Sequence, residues 1–180
     1  MIVFMGVAGA GKSVQGKLLA EKMDCEWVST GELLRTNLSG KRQQGMLEGK
    51  LLADDEIIQV VKEFFKSTEE SSRCILDGFP RTLVQAEWLL EQYEQKKLDI
   101  SAIVHLEASK DIVKARLLKR GRPDDNEQAI EMRFLEYEKH TLPIIDRFRQ
   151  INLPVYSVKA EGSISEIHDE IWGRVSQNAG

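Results

Sequence analysis

A run of small residues near the start of the chain ends in a lysine and a serine. The segment from Gly6 to Ser13 reads GVAGAGKS, with the spacing G-x-x-x-x-G-K-S. Glycines let the backbone curve closely around an anion, so that consecutive N–H groups point at it. A helix beginning at Lys12 would add the positive end of its dipole, and the lysine would reach terminal phosphates. The motif predicts a phosphate loop, with the Ser13 hydroxyl as a Mg²⁺ ligand; the alternative is a glycine-rich turn with a solvated lysine.

A carboxylate and an arginine follow a second apolar run. The stretch from Ser72 reads SRCILDGFPRT, so that Asp77 ends the run and Arg81 comes four residues later. A carboxylate at this point of a phosphate-loop protein can hold Mg²⁺ through its water shell. Arg81 beyond a stiff Gly-x-Pro turn fits a bidentate phosphate donor. The alternative is an aspartate that caps the next helix and pairs with the arginine.

Four arginines lie between residues 116 and 133. Arg116 and Arg120 are four residues apart and share a helix face, Arg122 lies in a turn, and Arg133 lies on the next predicted helix. Phosphoryl transfer requires positioning and positive charge around the transferred group, which arginines supply. A solvated basic helix end is the alternative, although solubility alone does not require so many arginines in an acidic chain.

Short apolar runs alternate with amphipathic stretches along the chain. The strands are predicted at 2–5, 26–29, 74–76, 102–106 and 155–158, and the helices at 12–23, 54–66, 83–95, 110–119, 127–150 and 165–175. This alternation predicts an α/β fold, with a five-stranded parallel sheet and helices on both faces. Ligands of such sheets bind beyond the carboxyl ends of the strands, so the phosphate loop and the segments that follow Ser29 and Leu76 should meet at one cleft.

The composition fits one enzyme domain without a membrane segment. The chain has 180 residues, 42% hydrophobic residues and a net charge of −4. The acidic balance argues against general nucleic-acid binding, and no apolar run approaches the ~20 residues that span a bilayer. No signal peptide is apparent, and Cys25 and Cys74 are expected as free thiols in a reducing cytoplasm, without zinc. His105 is expected as a strand residue and not as a ligand or base.

Four motifs, in order, resemble adenylate kinases and related nucleoside monophosphate kinases. They are VSTGELLR at 28–35, GKLL at 49–52, LDGFPRT with Gln85 at 76–85, and RGRPDDNEQAIEMRFLEY at 120–137. The resemblance extends from the first strand to about Gly162. It implies a phosphate-loop kinase that transfers a phosphoryl group from ATP to a nucleoside monophosphate, with Mg²⁺ as the cofactor and no nucleic-acid or membrane partner. A monomer is expected.

The resemblance assigns residues to two nucleotides. The ATP-binding set is Gly9, Ala10, Gly11, Lys12, Ser13, Val14, Arg116, Arg120 and Gly162. The AMP-binding set is Thr30, Arg35, Lys50, Leu51, Leu52, Gly78, Phe79, Pro80, Arg81, Gln85, Arg122 and Arg133. The catalytic set is Lys12, Arg81, Arg120, Arg122 and Arg133, and the Mg²⁺ ligands are Ser13 and Asp77. Asp124 and Asp125 resemble a pair that orients the arginines.

The sequence also departs from the family pattern. Ala8 stands where a proline is usual, and Ser13-Val14 replaces Gly-Thr, so the Ser13 metal contact rests on the general motif alone. Only Gly121 separates Arg120 from Arg122, where relatives carry a loop or a domain. We therefore expect one domain over 1–180, with a monophosphate-binding insertion at about 30–60 and a minimal lid at about 120–127.

The acceptor base is expected to be adenine. Thr30, Thr82 and Gln85 are similar to the residues of adenylate kinases, whereas pyrimidine-directed relatives carry alanine and asparagine at the first two positions. Two alternatives remain: a UMP/CMP kinase, and a nucleotide-binding switch module without transfer activity.

Overall fold

Five short strands form one parallel sheet. The computed structural model describes residues 1–37, 53–67 and 73–178. The strands are β1 (Ile2–Met5), β2 (Glu26–Ser29), β3 (Cys74–Asp77), β4 (Ala102–Glu107) and β5 (Val155–Lys159). They lie in the order β2-β3-β1-β4-β5, and every pair is parallel. The predicted sheet is confirmed, with three of the strands one residue longer than expected.

Helices surround the sheet in the described part of the chain. They are α1 (Lys12–Met23), α2 (Thr30–Asn37), α3 (Asp54–Ser67), α4 (Leu83–Glu94), α5 (Lys110–Arg120), α6 (Glu127–Glu136), α7 (Leu142–Gln150) and α8 (Ile164–Val175). A short 3₁₀ turn, Ser176–Asn178, follows α8. None of the helices in these ranges has the length and apolar character needed to cross a bilayer.

Two helical features differ from the sequence prediction. The expected helix over 127–150 contains a π-helical turn, Tyr137–Thr141, between α6 and α7. A π turn keeps helical backbone geometry, so it changes the apolar spacing too little to be noticed in one sequence. The helix α2 was not predicted, because it has only eight residues and begins directly where β2 ends.

The two faces of the sheet bury separate apolar clusters. Val3 and Met5 of β1 belong to one cluster, while Ile2 and Phe4 belong to the other, as the alternation of side chains along a strand requires. The first cluster is covered by side chains of α2, α3, α4 and α7, and the second by side chains of α1, α5, α6 and α8. Helices on both faces are therefore confirmed.

The carboxyl ends of three neighbouring strands meet at one edge of the sheet. Asp77, the last residue of β3, is in register with Phe4 of β1 and with Ser29 of β2. The phosphate loop follows β1, Gly78 follows β3, and α2 follows β2. The sheet register thus places the three candidate segments side by side.

His105 lies in β4, as expected, and is 4% exposed. Its Nε2 lies 2.5 Å from the Tyr137 hydroxyl, and its Nδ1 lies 3.3 Å from both Ser157 Oγ and Glu107 Oε1. Burial lowers the pKa of His105, although Glu107 acts in the opposite direction. The imidazole therefore links β4 and β5 to the π turn in its neutral form.

Candidate active site

The phosphate loop connects β1 to α1 through glycines with positive φ. Gly6 has a φ of 138° and Gly11 a φ of 108°. A Cβ on Gly6 would lie 2.5 Å from the backbone oxygen of Leu106, so no side chain fits there. Gly11 precedes the first residue of α1, where the free N–H groups of a helix attract anions. The loop has the close packing and the helix terminus that the motif predicts.

Lys12 is the first residue of α1 and curls back over the loop. Its ammonium group donates to the backbone oxygens of Gly6, at 2.7 Å, and Val7, at 2.9 Å. Burial lowers the pKa of Lys12 to about 8, and the charge of Asp77 opposes this shift. The lysine is therefore held inside the phosphate loop as a cation that titrates in the mildly alkaline range.

Ser13 and Asp77 meet between α1 and β3. The Ser13 hydroxyl donates to Asp77 Oδ2 at 2.8 Å, and Asp77 is 3% exposed. Hydroxyl and carboxylate oxygens suit Mg²⁺, which usually takes few protein ligands and completes its shell with phosphates and waters. The two residues therefore fit a Mg²⁺ carried by a nucleotide. Among residues 1–37, 53–67 and 73–178, no group of three or more His, Cys, Asp or Glu side chains is placed to hold a metal.

Two adjacent aspartates hold the arginine cluster. Arg120 donates to the two carboxylate oxygens of Asp125 at 2.7 and 2.6 Å, and Arg133 donates to Asp125 at 3.2 Å and also to Asp124. The backbone N–H of Arg122 donates to Asp125 at 3.2 Å. Burial alone would raise the pKa of Asp125, but the hydrogen bonds and the charge of Arg120 keep it below its ordinary value. The carboxylate stays ionised and fixes both guanidinium groups.

Arg116 connects the phosphate loop to the loop after β5. Its guanidinium donates to the backbone oxygen of Ala160 at 2.7 Å and, at 3.4 Å, to that of Ala10. Gly162 lies two residues beyond Ala160 and lines the same cleft. Arg116 and Gly162 thus border one end of the cleft, beside the phosphate loop.

The turn after β3 is tightly packed. Gly78 has a φ of 86°, and a Cβ there would lie 2.9 Å from Thr30 Oγ1, whose hydroxyl donates to the Asp77 carbonyl at 3.2 Å. Arg81 Nε donates to the Gly78 oxygen at 2.8 Å. The Phe79–Pro80 peptide is cis, and the Phe79 ring is buried edge to face against Trp88. Phe79 is buried as a whole residue, backbone included.

Two adjoining cavities occupy this edge of the sheet. An open cleft of about 1730 Å³ brings the phosphate loop together with Asp77, Arg81 and the four arginines at 116, 120, 122 and 133. A smaller pocket lies beside it, and Lys12, Gly78, Arg81 and Arg133 line both. Cations therefore surround the place where the two cavities join.

Most of the predicted site residues line these two cavities, and a few lie outside the residues that the structure describes. Lys50, Leu51 and Leu52 lie outside the described residues, as does the side chain of Arg35. Thr30 and Gln85 are buried, at 1% and 2% exposure.

Sequence reasoning missed three residues of the site. Asp54 bonds Gln85, Tyr137 lines the smaller pocket, and Gln15, buried beside the cleft, donates to the Ile164 oxygen at 2.9 Å. One feature of the sequence could have indicated Asp54, because it is an acidic residue at the start of a predicted helix, two residues after the GKLL motif.

A parallel sheet with a phosphate loop at its carboxyl edge, facing a cluster of arginines, defines the class of phosphate-loop nucleotide-binding proteins. Comparisons with known proteins narrow the class. The family model described as adenylate kinase matches residues 4–153. The adenylate kinase of Corynebacterium urealyticum is 35% identical, with 93% of this chain and 94% of that protein covered. That of Prochlorococcus marinus (strain MIT 9313) is 38% identical, with 92% and 93% covered, and that of Bacteroides thetaiotaomicron is 36% identical, with 82% and 84% covered.

The chain belongs to the adenylate kinase family. The resemblance found in the sequence motifs is therefore confirmed, and so is the enzyme class, a nucleoside monophosphate kinase.

Proposed function

We propose that this protein transfers the terminal phosphoryl group of ATP to AMP, which yields two molecules of ADP. The observation that carries the proposal is the presence of fixed cations from separate elements around one cleft. Lys12 lies in the phosphate loop, and carboxylates hold Arg120 and Arg133. A protein that only bound a nucleotide would have no need of charge around the transferred group. The relatives named adenylate kinase support AMP as the acceptor.

The larger cleft is the proposed donor site. The phosphates of ATP would bind the loop from Gly9 to Val14, whose backbone and helix terminus favour anions. The donor base would lie against Arg116 and beside Gly162, at the end of the cleft that these two residues border.

The smaller pocket is the proposed site of the acceptor phosphate. Arg81 and Arg133 line it and present guanidinium groups, which bind phosphate in a bidentate manner. Gly78 and Pro80, which line the pocket, would contribute contacts, and Thr30 and Gln85 would lie on the side of the base. Phe79 is assigned to AMP on the family motif alone. Arg35, Lys50, Leu51 and Leu52 are assigned to AMP on the family motifs alone.

Positioning and charge account for the proposed mechanism. Phosphoryl transfer spreads negative charge over the oxygens of the transferred group, which stays roughly in line with the attacking and leaving oxygens. Lys12 would balance that charge from the donor side, and Arg120, Arg122 and Arg133 would balance it from the opposite wall. Arg81 would hold the attacking phosphate. Mg²⁺, with Ser13 and Asp77 beside it, would neutralise the donor phosphates and orient them.

The organisation of the chain is part of the proposal. We assign one domain over 1–180, with the monophosphate-binding insertion at about 30–60 and a minimal lid at about 120–127. We also propose a monomer that acts in the cytoplasm, and the two free thiols, Cys25 and Cys74, support the compartment because they are typical of a reducing one.

Initial rates with ATP, Mg²⁺ and each monophosphate in turn test the proposal. We expect kcat/KM for AMP to exceed that for CMP and UMP at least about tenfold, because a site that hydrogen-bonds a base edge rejects other edges. Comparable values for AMP and CMP would refute AMP as the preferred acceptor, and higher values for CMP or UMP would indicate a pyrimidine-directed kinase. ADP formation that does not depend on any acceptor would indicate a nucleotide-binding switch and would overturn the proposal.

A further inference from the structure

The side-chain amide of Gln85 is anchored at both ends. Its oxygen accepts from the backbone N–H of Arg81 at 2.8 Å, and its nitrogen donates to Asp54 Oδ1 at 2.8 Å. The same carboxylate oxygen accepts from the Thr82 hydroxyl at 2.7 Å. Gln85 is 2% exposed, so these contacts lie in a setting where an unpaired polar atom is costly. The network joins the first turn of α3 to the first turn of α4.

These partners permit only one orientation of the amide. In the opposite orientation, the Gln85 oxygen would face the Asp54 carboxylate, and its NH₂ group would face the N–H of Arg81. Two acceptors would then oppose each other, as would two donors, and such mismatches are costly when the groups are buried. Asp54 and the backbone N–H of Arg81 therefore both oppose the flip, and Asp54 is the one of the two that a side-chain substitution can remove.

We propose that Asp54 is a positioning residue that sets the amide orientation of Gln85 and, through it, selects a 6-aminopurine over a 6-oxopurine as the acceptor base. This inference rests on the proposed function, in which Gln85 contacts the acceptor base. The Gln85 oxygen keeps a second lone pair, and its nitrogen keeps a second hydrogen. The free lone pair of the oxygen and the free hydrogen of the nitrogen can pair with a base edge that places a donor and an acceptor in one particular order.

The two purine classes differ in that order. Adenine presents an amino donor at position 6 and an acceptor at N1, whereas a 6-oxopurine such as hypoxanthine presents an acceptor followed by an N–H donor. An amide complements one edge as it stands and the other only after a flip of about 180°. Because Asp54 opposes the flip, the wrong base leaves buried polar groups unpaired, and this gives strong discrimination.

The matched test compares AMP with IMP as acceptors in Asp54→Ala, Asp54→Asn and Asp55→Ala. The ratio of kcat/KM for AMP to that for IMP is measured with ATP and Mg²⁺, and thermal unfolding shows whether each variant folds. We expect the ratio to fall about tenfold in Asp54→Ala, because the Arg81 N–H alone then opposes the flip. A smaller decrease is expected in Asp54→Asn, whose amide oxygen can still accept from Gln85. Asp55→Ala removes a neighbouring carboxylate, which the structure leaves exposed, and should keep the wild-type ratio.

A double-mutant cycle separates positioning from a structural role. If Asp54 acts through Gln85, the double variant Asp54→Ala/Gln85→Leu should have the same AMP-to-IMP ratio as Gln85→Leu alone. The inference is overturned if Asp54→Ala slows both acceptors equally, or lowers only the unfolding temperature, while the ratio stays unchanged. A wild-type protein that uses CMP as well as AMP would refute the proposed function instead, and this result is visible before any variant is made.

Discussion

Arg120 and Asp125 are joined by two parallel hydrogen bonds, of 2.7 and 2.6 Å, across the turn that connects α5 to α6. The Asp125 side chain has no exposed surface, and the same carboxylate also accepts from Arg133 and from the backbone of Arg122. One buried group thus orients three segments that border the cleft.

Replacement of Asp125 should reduce turnover more than it reduces binding. In Asp125→Asn, one face of the side chain becomes a donor, so the paired arrangement with Arg120 is lost. We expect kcat to fall about 10- to 100-fold, because small displacements of the groups around the transferred phosphoryl have effects of this size. Steady-state kinetics provides the measurement.

The matched control is Asp146→Asn, which removes the partner of Arg149 from an exposed pair 2.9 Å apart. Exposed pairs contribute little, so kcat should remain at the wild-type value. Equal effects of the two substitutions would contradict the role given to Asp125.

Replacement of Lys12 should remove activity and leave the fold in place. Lys12→Ala eliminates the cation at the phosphate loop, and we expect kcat to fall about 100-fold or more. Lys22→Ala alters the other end of α1, where the ammonium group lies 4.4 Å from the centre of the Trp172 ring, and should retain turnover. Coupled assays and circular dichroism of both variants provide the comparison. Near-normal turnover in Lys12→Ala would mean that the loop is not the donor site.

The pH dependence of the reaction should also report on Lys12. With a pKa of about 8, Lys12 of the free protein loses its charge as the pH rises through this value. We therefore expect kcat/KM for ATP to decrease above about pH 8. Bound phosphates favour the charged form, so kcat at saturating nucleotide should hold to higher pH. A value of kcat/KM that stays constant from pH 7 to about 9.5 would refute this role.

Acid should destabilise the protein in part through His105. Burial lowers the pKa of His105, so the unfolded chain binds a proton more readily than the folded one as the pH falls below about 6.5. Stability should consequently decrease on acidification through this range. The His105→Gln side chain cannot titrate in this range. Its free energy of unfolding, measured with urea, should therefore decrease less between pH 7 and about 5 than that of the wild type. An unchanged slope would show that another group is responsible.

The strands were predictable because each is a short apolar run that alternates with amphipathic helical stretches. Ile2–Met5 and Cys74–Asp77 are buried at every position, as strands inside a parallel sheet require. The helix Thr30–Asn37 was not predictable in the same way, because it starts without a turn after β2. Its sequence predicted a segment that binds a ligand but did not predict a helix.

The site was predictable where the chemistry is local to a motif. The phosphate loop is one continuous motif, and the Asp124–Asp125 pair lies at most nine residues from the arginines that it holds. Asp54 and Gln85 are 31 residues apart and come from different helices. Only the packing of α3 against α4 brings them together. An aspartate and a glutamine at these positions do not by themselves predict a contact between them.

The π turn between α6 and α7 acts as a spacer of fixed length. Arg133 lies on its amino-terminal side, where Asp124 holds it, and Thr141 at the other end donates to the Arg81 carbonyl at 2.9 Å. One unbroken helical backbone therefore sets the separation between the two arginines assigned to the acceptor phosphate. Each helical residue turns the chain by about 100° and advances it about 1.5 Å. A single insertion or deletion within 137–141 would swing Thr141 away from Arg81, so this stretch should tolerate substitutions far better than changes in length.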